Sequence, residues 1–153
     1  MKASKFLKAL LAYIALPGMV GFGVPILWLW LTDGFQLVQP PGFVLIVVGL
    51  VGTVWCVRDF HVTGSGTLAP WAPPEKLVVG GLFRYSRNPM YISVVLVLWG
   101  WAISFCSIGL FIYSLFMLVA FHLRVVHYEE PRLAKQFGEA GERYSNRVPR
   151  WFW

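Results

Sequence analysis

The chain reads as an all-α integral membrane bundle of about four transmembrane helices, the last two a helical hairpin, with an amphipathic C-terminal helix on the cytoplasmic side. Three observations predict this. Hydrophobic residues make up 58% of the 153 positions and charged ones only 13%, where a soluble domain carries about a quarter. Long apolar stretches divide the chain, whose mean hydropathy is +0.64. All 13 Lys and Arg residues fall on one side of a bilayer if the chain crosses four times. The length suits a single domain, residues 1–153.

The first stretch, Ala9–Leu31, would run about 35 Å as a helix, enough for a ~30 Å hydrocarbon core. Lys2, Lys5 and Lys8 ahead of it resemble a signal-peptide start. The stretch is too long for one and no small-residue cleavage site follows, so it reads as a retained anchor. Pro17 and Pro25 are expected to kink it, which bilayer helices tolerate. Gly42–Val57 is shorter and spans only with Arg58 snorkelling at its end; Gly49 and Gly52 there permit close helix packing. Tyr91–Leu123 would reach roughly 50 Å as one helix, too long for one crossing. Two short helices joined near Ser104-Phe105-Cys106-Ser107 fit better, in a place where the bilayer can thin and admit a polar ligand.

Charge placement sets the count and the orientation. Four crossings leave only the Thr32–Pro41 loop, with Asp33, and the Ser104–Ser107 turn opposite the basic residues. Three crossings would strand six cations outside. The positive-inside rule then puts both termini in the cytoplasm; for a bacterial chain the expected membrane is the cell (inner) membrane. His61–Pro74 is a turn-rich loop. Pro131–Arg147 is an amphipathic helix, with Leu133, Phe137 and Tyr144 recurring among charged residues. Trp151-Phe152-Trp153 suits the interface.

Composition also excludes classes of function. The net charge of +6 is interrupted by apolar spans rather than gathered on one polar face, which argues against nucleic acid. Cys56 and Cys106 sit in separate apolar runs, and His61, His122 and His127 lack zinc-site spacing, so no metal is expected. Gly64-Ser65-Gly66 has neither the flanking strand and helix nor the Lys-Ser or Lys-Thr of a phosphate loop.

Two polar stretches carry the chemistry. Glu129-Glu130 follows directly on a membrane helix, where carboxylates are expensive and are placed against a partner or ligand; a solvated helix end has the same sequence. Arg124, about one and a half turns earlier, points into the same cavity or anchors the helix at the headgroups. In Arg87-Asn88-Pro89-Met90-Tyr91, proline pre-sets a helix start whose free N–H groups suit an anion, or which is simply an N-capped interfacial helix.

Together these stretches are recognisable. Gly64 to Pro74, Leu77-Val78, Gly81-Leu82-Phe83 and Arg87-Asn88-Pro89-Met90-Tyr91 resemble the isoprenylcysteine carboxyl methyltransferase family. So do Glu129-Glu130-Pro131, Phe137-Gly138-Glu139, Tyr144 and Arg147-Val148-Pro149. The related phosphatidylethanolamine N-methyltransferases share Asn-Pro-Met-Tyr, a Gly-Trp-Ala-Ile (Gly100 to Ile103) and Tyr-Glu-Glu-Pro. The resemblance covers about residues 58–150. It implies a membrane-embedded methyltransferase using S-adenosyl-L-methionine, with Leu77, Val78, Phe83, Asn88, Pro89, Met90, Tyr91, Glu129 and Glu130 at the cofactor and Arg124 on the substrate side. The implied partner is a membrane lipid or lipidated acceptor. This chain has Asn88 where the family usually has His, Phe83 where Tyr is common, Gly141 for an aromatic residue, and Arg124 one position from the family's arginine. An ethanolamine-headgroup N-methyltransferase is the nearest alternative; a sterol-type NADPH reductase and a non-catalytic membrane scaffold are others.

Overall fold

A computed structural model describes residues 14–36, 39–64 and 76–152. Lys2, Lys5 and Lys8, the start of the first apolar stretch, Ser65 to Pro74 of the turn-rich loop, and Trp153 lie outside the described residues. The described residues are helical, with no strand among them.

Helix α1 begins as a π-helical stretch, Ile14–Gly23, and continues as regular helix over Val24–Leu31. The expected proline disturbance takes this form: Pro17 lies within the π-helical part and Pro25 at the start of the regular part, where neither nitrogen can donate to the preceding turn. Helix α2, Pro41–Val62, opens on a proline. It runs beyond the expected end at Val57, through Arg58 and Asp59. No glycine or proline interrupts it there, and hydropathy marks the apolar part of a helix rather than its end. The Thr63 N–H closes it on the Asp59 and Phe60 carbonyls.

A 3-10 turn, Gly81–Arg84, precedes helix α3, Pro89–Ser104. The turn to α4, Ile108–Arg124, falls where the sequence places it. Ser107 caps α4 by accepting from the Leu110 N–H, and its own N–H reaches the Ala102 carbonyl at 3.0 Å. A π-helical turn, Val125–Glu129, joins α4 without a break to α5, Glu130–Arg147. The amphipathic tail helix is therefore a continuation of α4, and it bends sharply at Gly138 (φ 49°, ψ −129°). Two helices, Pro41–Val62 and Ile108–Arg147, are long and apolar enough to cross a membrane; Pro17–Leu31 and Pro89–Ser104 are apolar but shorter.

Helix α3 is the central element. Val94, Val95, Val97, Leu98 and Ala102 are buried, while α2 and α4 keep outer faces of exposed Val44, Val47, Val51, Ile112, Phe116 and Val119. Such continuous exposed apolar faces are what lipid contact requires. Between α2 and α3 the contact is made by small residues. A Cβ on Gly49 would lie 2.5 Å from the Ser93 carbonyl oxygen and 2.7 Å from Val97, so the two backbones touch. Without a hydrophobic drive between helices in lipid, such close van der Waals packing is what holds them. The buried Ser93 and Thr53 hydroxyls donate to the carbonyls one turn back, Pro89 at 2.8 Å and Gly49 at 2.6 Å, so neither is left unpaired in the apolar interior.

Beyond Gly138 the chain returns to the start of α3. The Tyr144 hydroxyl donates to the Phe83 carbonyl at 2.7 Å, and the Arg87 N–H to the Pro149 carbonyl at 2.9 Å. Glycine is required at 138 because other residues adopt that backbone only with strain.

Gly49→Ala is expected to destabilise the protein in detergent by about 1–3 kcal/mol, the cost of overpacking a closed contact. Gly80→Ala, where an added Cβ meets nothing within 4 Å, is the control. Equal thermal unfolding of the two variants would refute the close α2–α3 contact. Gly138→Ala should leave the bundle's melting near wild type but cost about 1–3 kcal/mol in docking of the tail, read as faster hydrogen exchange over residues 144–151.

Candidate functional site

Proline at 89 fixes the first helical residue of α3, and Asn88 just before it keeps a non-helical backbone (φ −129°, ψ 47°). The Asn88 side chain does not cap the helix. Its Nδ2 donates instead to the Arg150 carbonyl at 3.0 Å, and its N–H goes to Ser86 Oγ at 3.1 Å. The Ser86 hydroxyl donates to that same Arg150 carbonyl at 3.2 Å. Of the two readings of this motif, the simple N-cap is not what Asn88 makes: its side chain ties α3 to the C-terminal tail instead.

One turn into α3, the Tyr91 hydroxyl donates to Glu129 Oε1. Arg124 Nε reaches both, Tyr91 Oη at 3.1 Å and Glu129 Oε1 at 2.9 Å. Arg124 and Glu129 are five residues apart, a spacing that an α-helix sends to different faces. The π-helical turn Val125–Glu129 winds with i→i+5 closure, so it returns residues five apart to one side. That local widening makes the triad possible. The Tyr91 ring packs on Phe121 with centroids 4.6 Å apart. Tyr128 lies between two guanidinium groups, Arg124 at 5.7 Å and Arg132 at 5.9 Å from its ring centre, a cation–π arrangement.

Glu130 turns away from its neighbour. Arg150 grips it with two bonds, Nε to Oε1 and Nη2 to Oε2, each 2.8 Å. Arg87 Nη1 adds a third contact at 3.0 Å. Burial pushes the Glu130 carboxyl up, but the Arg150 hydrogen bonds and the charges of Arg87 and Arg150 outweigh it and hold it below its ordinary value. The clamp's contribution is therefore complete above the ordinary carboxylate value and is lost as pH falls through the depressed one.

The remaining candidates form an apolar wall. Val78 and Phe83 are buried with Cys56, and Met90 and Phe60 pack against them; the Phe60 and Phe83 rings meet edge to face at 5.3 Å. Leu77 is half-buried beside Val78, and Pro89 is buried. The structure thus joins Tyr91, Arg124 and Glu129 directly, ties Asn88 to Glu130 through Arg150, and gathers Val78, Phe83 and Met90 in a separate cluster. The first turn of α3 connects them, since Met90 and Tyr91 are adjacent.

Four participants were not singled out from sequence: Ser86, Arg87, Tyr144 and Arg150. Arg87 and Tyr144 lie in the quoted motifs, but nothing local to Arg150 points to Glu130, twenty residues away. Among the buried polar atoms without a partner in the described residues, two lie near these motifs, Arg87 Nε and Asp59 Oδ2. A spare guanidinium donor, carboxylates, a tyrosine held by cations and an apolar wall together suit a small molecule that carries both signs of charge on a flat apolar body.

The family model for phospholipid methyltransferases matches residues 38–140. No curated protein and no solved structure matches the chain. The matched segment holds α2, α3, α4 and the π-helical turn, hence the Tyr91–Arg124–Glu129 triad, and spans well over half of the chain. The protein belongs to the isoprenylcysteine/phospholipid methyltransferase family.

Proposed function

We propose that the protein is a four-crossing membrane methyltransferase that uses S-adenosyl-L-methionine to methylate a lipid-like or prenylated acceptor at the cytoplasmic boundary. The observation that carries this is the triad of Tyr91, Arg124 and Glu129, assembled within the family-matched segment where α3 meets the π-helical turn. Glu129 would hold the positive part of the cofactor, the free Arg87 donor its carboxylate, and Val78 and Phe83 its purine. When bound, the cofactor supplies an electrophilic methyl group.

The chain's own contribution is then positioning. In-line displacement gains more from fixed geometry than from a protein nucleophile. Asn88, Pro89 and Met90 set the start of α3 so that Tyr91 faces the π-helical turn, and the apolar cluster excludes water. Leu77 and Glu130 complete the proposed surround. Arg124, half-exposed, keeps guanidinium nitrogens for a substrate anion.

The leading acceptor is a prenylcysteine carboxylate, which is charged at neutral pH and needs no general base. The family description is equally consistent with a second reading, an ethanolamine headgroup, whose amine must first lose a proton. Labelled methyl transfer into membrane lipid and protein fractions separates them: a base-labile methyl ester supports the first, a base-stable N-methyl amine the second. No incorporation into either fraction would overturn both.

Reporters fused at either terminus should read as cytoplasmic and one at Gln36 as external; an external C-terminus would sink the four-crossing arrangement. Glu129→Ala should weaken S-adenosyl-L-methionine binding roughly tenfold to a hundredfold, since hydrogen bonds to charged groups are worth about 1.5–3 kcal/mol. Exposed Glu139→Ala should change it little. Equal affinities in wild type and Glu129→Ala would reject the assignment.

A further inference from the structure

The family match stops at residue 140, yet the segment after it makes the densest set of polar contacts near the triad. Arg150 is at the centre of that set. Its guanidinium holds Glu130, the residue next to Glu129. Its carbonyl accepts from Asn88, which lies three residues before Tyr91 on the same side of the helix start. Trp151 then reaches α4, stacking on His122 at 6.1 Å and donating its Nε1–H to His122 Nδ1 at 3.3 Å. His122 is two residues from Arg124. Each member of the triad therefore has a near neighbour held by residues 150 and 151.

We infer that Arg150 is a positioning residue of the methyl-transfer site: it sets α5 against the start of α3, so that Tyr91, Arg124 and Glu129 converge only when the tail is docked. This rests on the function proposed above. Magnitudes separate positioning from simple stapling. A part-exposed ion pair adds little to overall stability, and the bundle is held by the α2–α3 contact, which Arg150 does not touch. A displacement of about 1 Å at a reacting centre, by contrast, can cost a hundredfold in rate. Loss of Arg150 should leave the fold and spoil the site.

The experiment uses the full-length protein in detergent or nanodiscs, with S-adenosyl-L-methionine as the probe. Arg150→Ala should weaken cofactor binding about tenfold or more, with melting near wild type and faster hydrogen exchange at Asn88 and over Val148–Trp151. Arg150→Lys keeps the charge but not the two-pronged grip, so it should recover part of the loss. Arg143→Ala, exposed on α5, should bind as wild type.

A pH profile reads what a staple would not move. Glu130 is faced by Arg87 from ahead of α3, Arg150 from the tail and His122 from α4, with Glu129 beside it. Removing Arg150 takes away its strongest partner, so the acid limb of cofactor binding should shift to higher pH. Wild-type affinity and an unmoved acid limb in Arg150→Ala, with the tail shown loose by exchange, would overturn the inference and leave the parent function standing. If Arg150→Ala fails to fold, Glu130→Gln, which keeps the side chain's shape, must show the same loss of affinity, and wild-type binding there overturns it. Wild-type protein that binds no cofactor would overturn the parent function and this inference with it.

Discussion

Two carboxylates placed side by side at the end of an apolar helix repel each other and are poorly solvated, and each must find its own cation or donor. The arrangement around α3 follows from that requirement. Glu129 turns toward Tyr91 and Arg124, and Glu130 toward Arg87 and Arg150. One pair of neighbours thereby ties four segments together: α4, the start of α3, α5 and the tail. The division needs a backbone that can send adjacent side chains to well-separated partners, and the π-helical turn before α5 supplies it.

The apolar elements were legible in the sequence because lipid-facing and helix-facing surfaces both select for hydrophobic residues over a definite length. The α3–α4 turn could be placed from Ser104 to Ser107 since a single helix of that length would overshoot a bilayer. The end of α2 could not, because Arg58 and Asp59 end an apolar run without ending a helix. The bend at Gly138 was hidden for a related reason. Glycine occurs twice in the tail, at Gly138 and Gly141, and nothing in the sequence separates the two, whereas the φ of 49° at Gly138 is a property of the folded chain.

The polar site was half legible. The two motifs announce themselves by placing Asn88, Tyr91 and the glutamates at helix ends, and the family match encloses them. Regular 3.6-residue winding, however, leaves open whether Arg124 joins Glu129 or points to the headgroups, and only the widened turn decides it. Arg150 was illegible altogether. Its charge resembles that of any cation in a basic tail, and its partners are set by a chain reversal rather than by spacing.

The contact between α2 and α3 also bears on how an acceptor arrives. Backbones so close that one added methyl would strike a carbonyl leave no slot for an acyl or prenyl chain. On the function proposed above, the lipid tail of an acceptor would be kept out from between these helices at Gly49 and would come instead along the flank of α3 that α1 and α4 border. For that acceptor, access would then be one-sided, decided by the glycine at Gly49 about 16 Å of helix away from Phe60, where the apolar wall begins.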